Sequence, residues 1–229
     1  MTDEASRSMT PTDRLKDIRA VLFDLDGTLI DSRADLAAAV NRMRTLHALL
    51  PLPLETITAF VGDGIRMLAV RALEGTTVDP DLAAAEIGAT YAEHLTDATT
   101  AYPGVDAGLR ALHAAGHALA LVTNKPALHA RRLLDHFQWT PLFSVFLGGG
   151  DTPELKPSPV PLQTAMQRTG HSPANTWMVG DHHTDLEAAR RAGIRSIFLE
   201  SGIGTPGHEK PDLVFPDFPS FAARFLPRA

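Results

Sequence analysis

An α/β protein, with a doubly wound parallel sheet at its core and a helical insertion after the first strand, is the fold class this sequence predicts. Three observations predict it. Short apolar runs recur along the chain, helix-like segments lie between them, and three of those segments stop at a glycine: Gly116, Gly170 and Gly193. Glycine closes a helix because it takes the left-handed conformation without steric cost. Helix, glycine, buried strand and loop in repetition is the pattern of βαβ units. Composition agrees. With 229 residues, 44% hydrophobic and 21% charged, the chain suits one or two domains and is neither disordered nor fibrous.

Residues 1–17 are polar with mixed charge and read as a flexible leader rather than a secretory signal, with Met9 as an alternative start. Ala20-Val21-Leu22-Phe23 is the first buried strand and ends at Asp24. Residues 32–101 break the α/β rhythm and read as a helical cap. Leu36, Val40, Met43, His47 and Leu50 recur at steps of four and three, one face of an amphipathic helix that Pro51-Leu52-Pro53 ends. Ile65, Leu68, Ala69, Ala72 and Leu73 mark a second helix, and an alanine-rich third follows the break at Gly75 to Pro80 and reaches about Leu95. At Ala101-Tyr102-Pro103-Gly104 the chain returns to the sheet, whose later strands are expected at 118–122, 145–147, 177–179 and 196–199. The expected division is an α/β core of residues 18–31 and 102–229 with a hinged cap of residues 32–101.

Charge and residue types narrow the function. A net charge of −6 argues against nucleic acid or an anionic membrane as partner. No apolar stretch approaches the ~18–20 residues of a membrane span. Zero cysteines exclude disulfide scaffolds, thiolate zinc sites and a cysteine nucleophile, and they fit a cytoplasmic protein.

The chemistry-bearing residues begin with Asp24-Leu25-Asp26-Gly27-Thr28. Side chains two apart on a strand share a side, so Asp24 and Asp26 leave the sheet's C-terminal edge together, where ligands sit in open parallel sheets. Two carboxylates this close repel, and a divalent cation or a retained proton relieves the repulsion. A calcium loop of the EF-hand kind is excluded, because glycine comes fourth from Asp24 and the twelfth position is Asp35. Thr123-Asn124-Lys125-Pro126 ends another strand and makes either an anion site or a plain helix cap. Lys156, between Leu155 and Pro157, is either a fixed point charge for phosphate or a surface lysine. Gly180-Asp181-His182-His183-Thr184-Asp185 supplies two more acids at a strand end. Asp181 reads as a metal ligand, whereas Asp185 also suits the first turn of a helix. Two patterns are decoys. Gly202-Ile203-Gly204-Thr205-Pro206-Gly207 has dinucleotide-site spacing but leads into a loop, and His113 and His117 have zinc-site spacing on a helix but lack the accompanying glutamate.

In this order and over nearly the whole chain, Asp-x-Asp-Gly-Thr, a strand-end Thr, a Lys and Gly-Asp-x-x-x-Asp resemble the haloacid dehalogenase-like (HAD) phosphatase superfamily, with its Rossmann-like core. The resemblance implies that Asp24 is a nucleophile forming an aspartyl-phosphate. Asp26 is then the general acid and base, and Lys156 stabilises charge on nucleophile and phosphate. Gly27, Thr123 and Asn124 are implied to hold phosphoryl oxygens. Mg²⁺ is implied as cofactor, held by Asp24, Asp181 and the carbonyl of Asp26, with Asp185 in an outer or water-mediated place. Residues 24–32, 60–66, 102–105 and 204–206 further resemble phosphoglycolate phosphatases. That likeness implies hydrolysis of 2-phosphoglycolate, a small phosphorylated metabolite, by a monomer or homodimer with Arg66 on the substrate carboxylate. His182-His183 departs from the pattern and reads as a solvated loop pair. The alternatives are a broader phosphatase acting on sugar phosphates, nucleotides or pyrophosphate, a phospho-acceptor signalling module, and a catalytically silent binding protein.

Overall fold

The structure is a computed structural model that describes residues 18–224, so the leader expected at 1–17 lies outside the described residues. Strand β1 (Ala20–Phe23) is followed by β2 (Ile30–Asp31) and by helices α1 (Arg33–Leu46), α2 (Leu54–Thr58), α3 (Ile65–Ala72) and α4 (Pro80–Glu93). The chain then passes through β3 (Thr100–Ala101), α5 (Val105–Ala114), β4 (Ala118–Pro126), α6 (Ala127–His136), β5 (Phe143–Gly149) and α7 (Val160–Thr169). It ends with β6 (Thr176–Gly180), α8 (His183–Ala192), β7 (Arg195–Leu199), β8 (Leu213–Phe215) and α9 (Phe218–Ala222).

Six strands form one parallel sheet in the order β5-β4-β1-β6-β7-β8. Phe23 is paired with Leu121 on one side and Val179 on the other. The winding direction reverses at β1, which places a topological switch point there, the usual position for a ligand crevice in an open α/β sheet. Alternation along β1 splits the core. Val21 and Phe23 join a cluster with Leu109 of α5 and Phe218 and Phe221 of α9. Leu22 faces the opposite layer, with Leu162 and Met166 of α7 and Ala188 and Ala189 of α8. Both faces are covered, which is why the strands read as continuous apolar runs. The three stop glycines take positive φ, at 86°, 74° and 71° for Gly116, Gly170 and Gly193.

Helices α1 to α4 are inserted between β1 and α5, and their base is the antiparallel pair β2–β3, where Ile30 faces Ala101 and Asp31 faces Thr100. Two expectations need correction here. Helix α1 stops at Leu46, before the prolines, because the chain turns back at Ala48 with φ 55°. Leu50, expected on its buried face, is therefore 82% exposed. Helix α5 likewise stops at Ala114, so His113 and His117 do not share a helix. Among the described residues, no helix is long and apolar enough to cross a membrane.

Candidate active site

Three neighbouring parallel strands, β4, β1 and β6, end at the same edge of the sheet and deliver Thr123 and Asn124, Asp24, and Asp181 to it. Lys156 arrives from the loop between β5 and α7. Its Nζ donates to Asp24 Oδ1 at 2.7 Å, to Asp185 Oδ1 at 2.6 Å and to the Val122 carbonyl at 2.7 Å. These contacts use all three ammonium donors. Burial disfavours the Lys156 ammonium, but Asp185 and Asp24 outweigh it and hold the group above the usual lysine range. Burial pushes Asp24 up to about 6, against the pull of Lys156 and with the help of Asp185.

Asp181 is buried beside them. Its Oδ1 accepts from Thr28 Oγ1 at 2.7 Å, and its Oδ2 accepts from the N–H groups of Ile203 and Gly204 at 2.9 Å each. Burial, then the charges of Asp24 and Asp185, push Asp181 up to about 7 despite those bonds. The glycine-rich decoy thus has a structural use. A Cβ on Gly202, or on Gly27 at φ 87°, would lie 2.1 Å from an Asp181 side-chain atom. Ligand oxygens of Asp24, Asp181 and Asp185 lie within 4.8 Å of one another. Three buried carboxylates, two of them driven towards neutrality, make a repulsive cluster that a hard, oxygen-seeking divalent cation relieves. The residues fit such an ion.

Asp26 lies on the side of the insertion. Its Oδ1 accepts from Ser32 Oγ at 2.5 Å and from Lys125 Nζ at 2.7 Å. The same ammonium donates to the Tyr91 hydroxyl of α4 at 2.7 Å and lies 4.5 Å from the Tyr91 ring centroid. Asn124 is a clasp. Its Nδ2 donates to the carbonyls of Gly62 at 3.0 Å and Lys156 at 2.8 Å, and its Oδ1 accepts the Lys156 N–H at 2.8 Å. Between core and insertion lies a cavity of about 50 Å³, walled by Asp24, Asp26, Thr123 and Lys125 on one side and by Val61, Ile65, Leu68 and Tyr91 on the other. Roughly 10–15 Å³ on this measure holds one water, so the cavity suits a ligand of a few heavy atoms.

The structure brings together Asp24, Asp26, Thr123, Asn124, Lys156, Asp181 and Asp185. It does not bring Arg66. That side chain lies off the buried Leu68-Ala69-Ala72 face of α3, is 63% exposed, and pairs with Asp81 Oδ1 at 2.7 Å. Gly27 departs in detail, since its N–H donates to the Ile30 carbonyl at 2.9 Å and closes the turn after β1. His182 is also not solvated. It caps α8, its ring packs against Gly62, where a Cβ would come within 2.7 Å, and burial pushes it down to about 4. Its ring and that of His183 stand 4.1 Å apart, with Asp63 close by and Arg71 paired to Asp63. Sequence reasoning missed Lys125, Tyr91, Ser32 and Thr28 as members of the site. Lys125 had a usable signal, because it stands two residues after Thr123 on a strand and so shares its side. Tyr91 had none, since its place depends on how α4 lies against the sheet.

Residues 21–199 of the chain match the family of haloacid dehalogenase-like hydrolases. The phosphoglycolate phosphatase of Psychrobacter arcticus is 42% identical over 195 residues, 81% of this chain and 85% of that protein. The phosphoglycolate phosphatase of Neisseria meningitidis is 41% identical over 199 residues, 83% of each chain. Among solved structures, that of a predicted phosphoglycolate phosphatase from Haemophilus somnus superposes with a TM-score of 0.85 at 32% identity, covering 90% of this chain and 97% of that one.

Proposed function

The chain belongs to the haloacid dehalogenase-like hydrolase family, and from that premise we propose that it hydrolyses 2-phosphoglycolate to glycolate and phosphate through an aspartyl-phosphate. The observation that carries the reading is Lys156 bound to Asp24 and Asp185 in one buried cluster with Asp181, of which Asp24 lines a small cavity. The choice of substrate rests on the relatives, several of which carry the name phosphoglycolate phosphatase at about 40% identity.

In this mechanism Lys156 engages Oδ1 of Asp24 and leaves its other oxygen to attack phosphorus. An Asp24 O–P bond forms as the ester O–P bond breaks, and Asp26 gives its proton to the departing glycolate oxygen. A water then attacks the phosphorus, passes a proton to Asp26 and releases Asp24 as carboxylate. Thr123 Oγ1 and the backbone around Asn124 hold the phosphoryl oxygens. Asp185 is a positioning residue, because it acts through Lys156 and through the His182 N–H, which donates to its Oδ2 at 3.1 Å. Mg²⁺ is the cation we assign to Asp24, Asp181 and the Asp26 carbonyl, where it would neutralise phosphoryl charge and let an anionic nucleophile approach. Residues 32–101 act as the cap, which closes over the substrate and excludes water. The cysteine-free sequence supports a cytoplasmic setting.

Phosphate release across 2-phosphoglycolate, sugar phosphates, nucleotides and pyrophosphate, with and without Mg²⁺, tests the reading. The expected result is Mg²⁺-dependent turnover with phosphoglycolate preferred at least tenfold. A preference below a few-fold removes the specific substrate and leaves a broad phosphatase.

A further inference from the structure

The proposed substrate carries two anionic groups, and the catalytic cluster accounts for one. Lys156 has no donor left, since Asp24, Asp185 and the Val122 carbonyl take all three. Arg66 points away on the outer face of α3. Among the residues that line the cavity, Lys125 carries the positive charge that faces a second anion. It is held from both sides, by Asp26 of the core and Tyr91 of the insertion, each at 2.7 Å. Those two bonds leave the third ammonium donor for a ligand. Asp26 and Tyr91 outweigh burial and keep Lys125 above the usual lysine range, so it stays charged.

A second polar group stands beside it. His129 of α6 lines the same cavity, packs edge-on against Tyr91 with centroids 5.5 Å apart, and has a buried Nδ1 with no hydrogen-bond partner. A buried polar atom without a partner is costly and uncommon, and a ligand atom would satisfy this one. The remaining side chains of the cap wall, Leu36, Val61, Ile65 and Leu68, are apolar, and Gly62 and Gly64 present only backbone there. With Asn124 engaged by Gly62 and Lys156, the polar side chains of the cavity apart from the reacting groups are Lys125, Tyr91 and His129.

We propose that Lys125, steadied by Tyr91 and joined by His129 Nδ1, binds the carboxylate of the substrate and thereby selects phosphorylated acids over neutral phosphomonoesters. The inference rests on the substrate reading above and names the residues that would enforce it. Because Tyr91 belongs to the insertion and Lys125 to the sheet, the selecting group is complete only when the two parts meet. A substrate lacking the carboxylate would leave the third donor of a buried ammonium unpaired, and sites of that kind discriminate strongly.

The test compares kcat/KM for 2-phosphoglycolate and for ethyl phosphate, in which a methyl group replaces the carboxylate. Both substrates are measured with the unaltered protein and with Lys125→Met, Tyr91→Phe and His129→Leu, after thermal melts confirm that each variant is folded. The preference for phosphoglycolate should fall on the order of 10- to 100-fold in Lys125→Met and several-fold in the other two. Equal losses for both substrates, or a preserved preference, would overturn the proposal, because Lys125 would then act only through Asp26. If Lys125→Met fails to fold, Tyr91→Phe and His129→Leu decide by the same ratio, and an unchanged preference in both overturns it. An unaltered protein that prefers neither substrate overturns the subsite and the substrate reading together. A preference that survives in every variant overturns the subsite alone.

Discussion

Lys156 and the carboxylates around it are chemically inseparable, and each substitution there acts on stability and rate at once. Removing the ammonium in Lys156→Ala strands Asp24 and Asp185 in a buried site, and breaking a buried pair from one side costs about 3–5 kcal/mol. That variant should melt well below the unaltered protein, by more at pH 8 than at pH 5, where the acids can take up protons. Its kcat should also fall by roughly 10²–10³, measured at a temperature where the variant remains folded. Asp24→Asn differs, since it removes a mutually repelling charge while keeping the shape. It should fold with unchanged or higher Tm yet release no phosphate from any substrate. Measurable turnover in Asp24→Asn would reject the covalent route. Asp24 was legible in the sequence because it stands at a strand end, where burial of the strand and the spacing of two to Asp26 fix its direction. Lys156, in the loop before α7, and Asp185, in the first turn of α8, were placed by the resemblance in motif order. Arg66 was not legible, because its direction depends on which face of α3 packs inward, and that face is set by contacts with α4 across the insertion.

At the level of elements, the base of the insertion depends on Asp35 in the first turn of α1. Its buried carboxylate accepts the N–H groups of Ala98 at 3.0 Å and Thr99 at 2.8 Å, and the Thr99 hydroxyl at 2.7 Å. It thus ties the start of α1 to the segment leading into β3, while also favouring the helix dipole. Asp35→Ala leaves these donors unsatisfied and should cost about 2 kcal/mol, a fall in Tm of roughly 4–8 °C for a chain of this size. A larger KM with little change in kcat should accompany it, because the tether lies far from the reacting atoms. A variant that melts like the unaltered protein would show that the base is held elsewhere. Long elements were recognised in the sequence because their period repeats several times, although α1 and α5 end earlier than expected. The two-residue strands β2 and β3, the five-residue α2 and the three-residue β8 carry too few residues for any period, and they form because the surrounding elements bring their backbones together.

For the whole molecule, the acids link stability to pH and to the cation. Asp24 and Asp181 have folded pKa values of about 6 and about 7, above the ordinary 3.8. A raised acid favours the folded state while protonated, so this contribution is complete below about pH 4 and is lost as pH rises through 6 to 7. The cation-free protein should therefore lose Tm between pH 4 and pH 7.5. Mg²⁺ favours the ionised carboxylates, so the Tm gain at saturating Mg²⁺ should grow from pH 5 to pH 8, as scanning fluorimetry would measure. A gain that is flat or shrinks with pH would place the ion elsewhere. The sequence by itself determined the parallel sheet, the insertion after the first strand and the acids at the strand ends, because period and punctuation are local properties of the chain. Only the tertiary structure decided that Lys125 meets Tyr91 and Asp26, that Arg66 faces outward and that a glycine-rich loop cradles Asp181. Those outcomes depend on how distant segments pack, and no local pattern of residues encodes them.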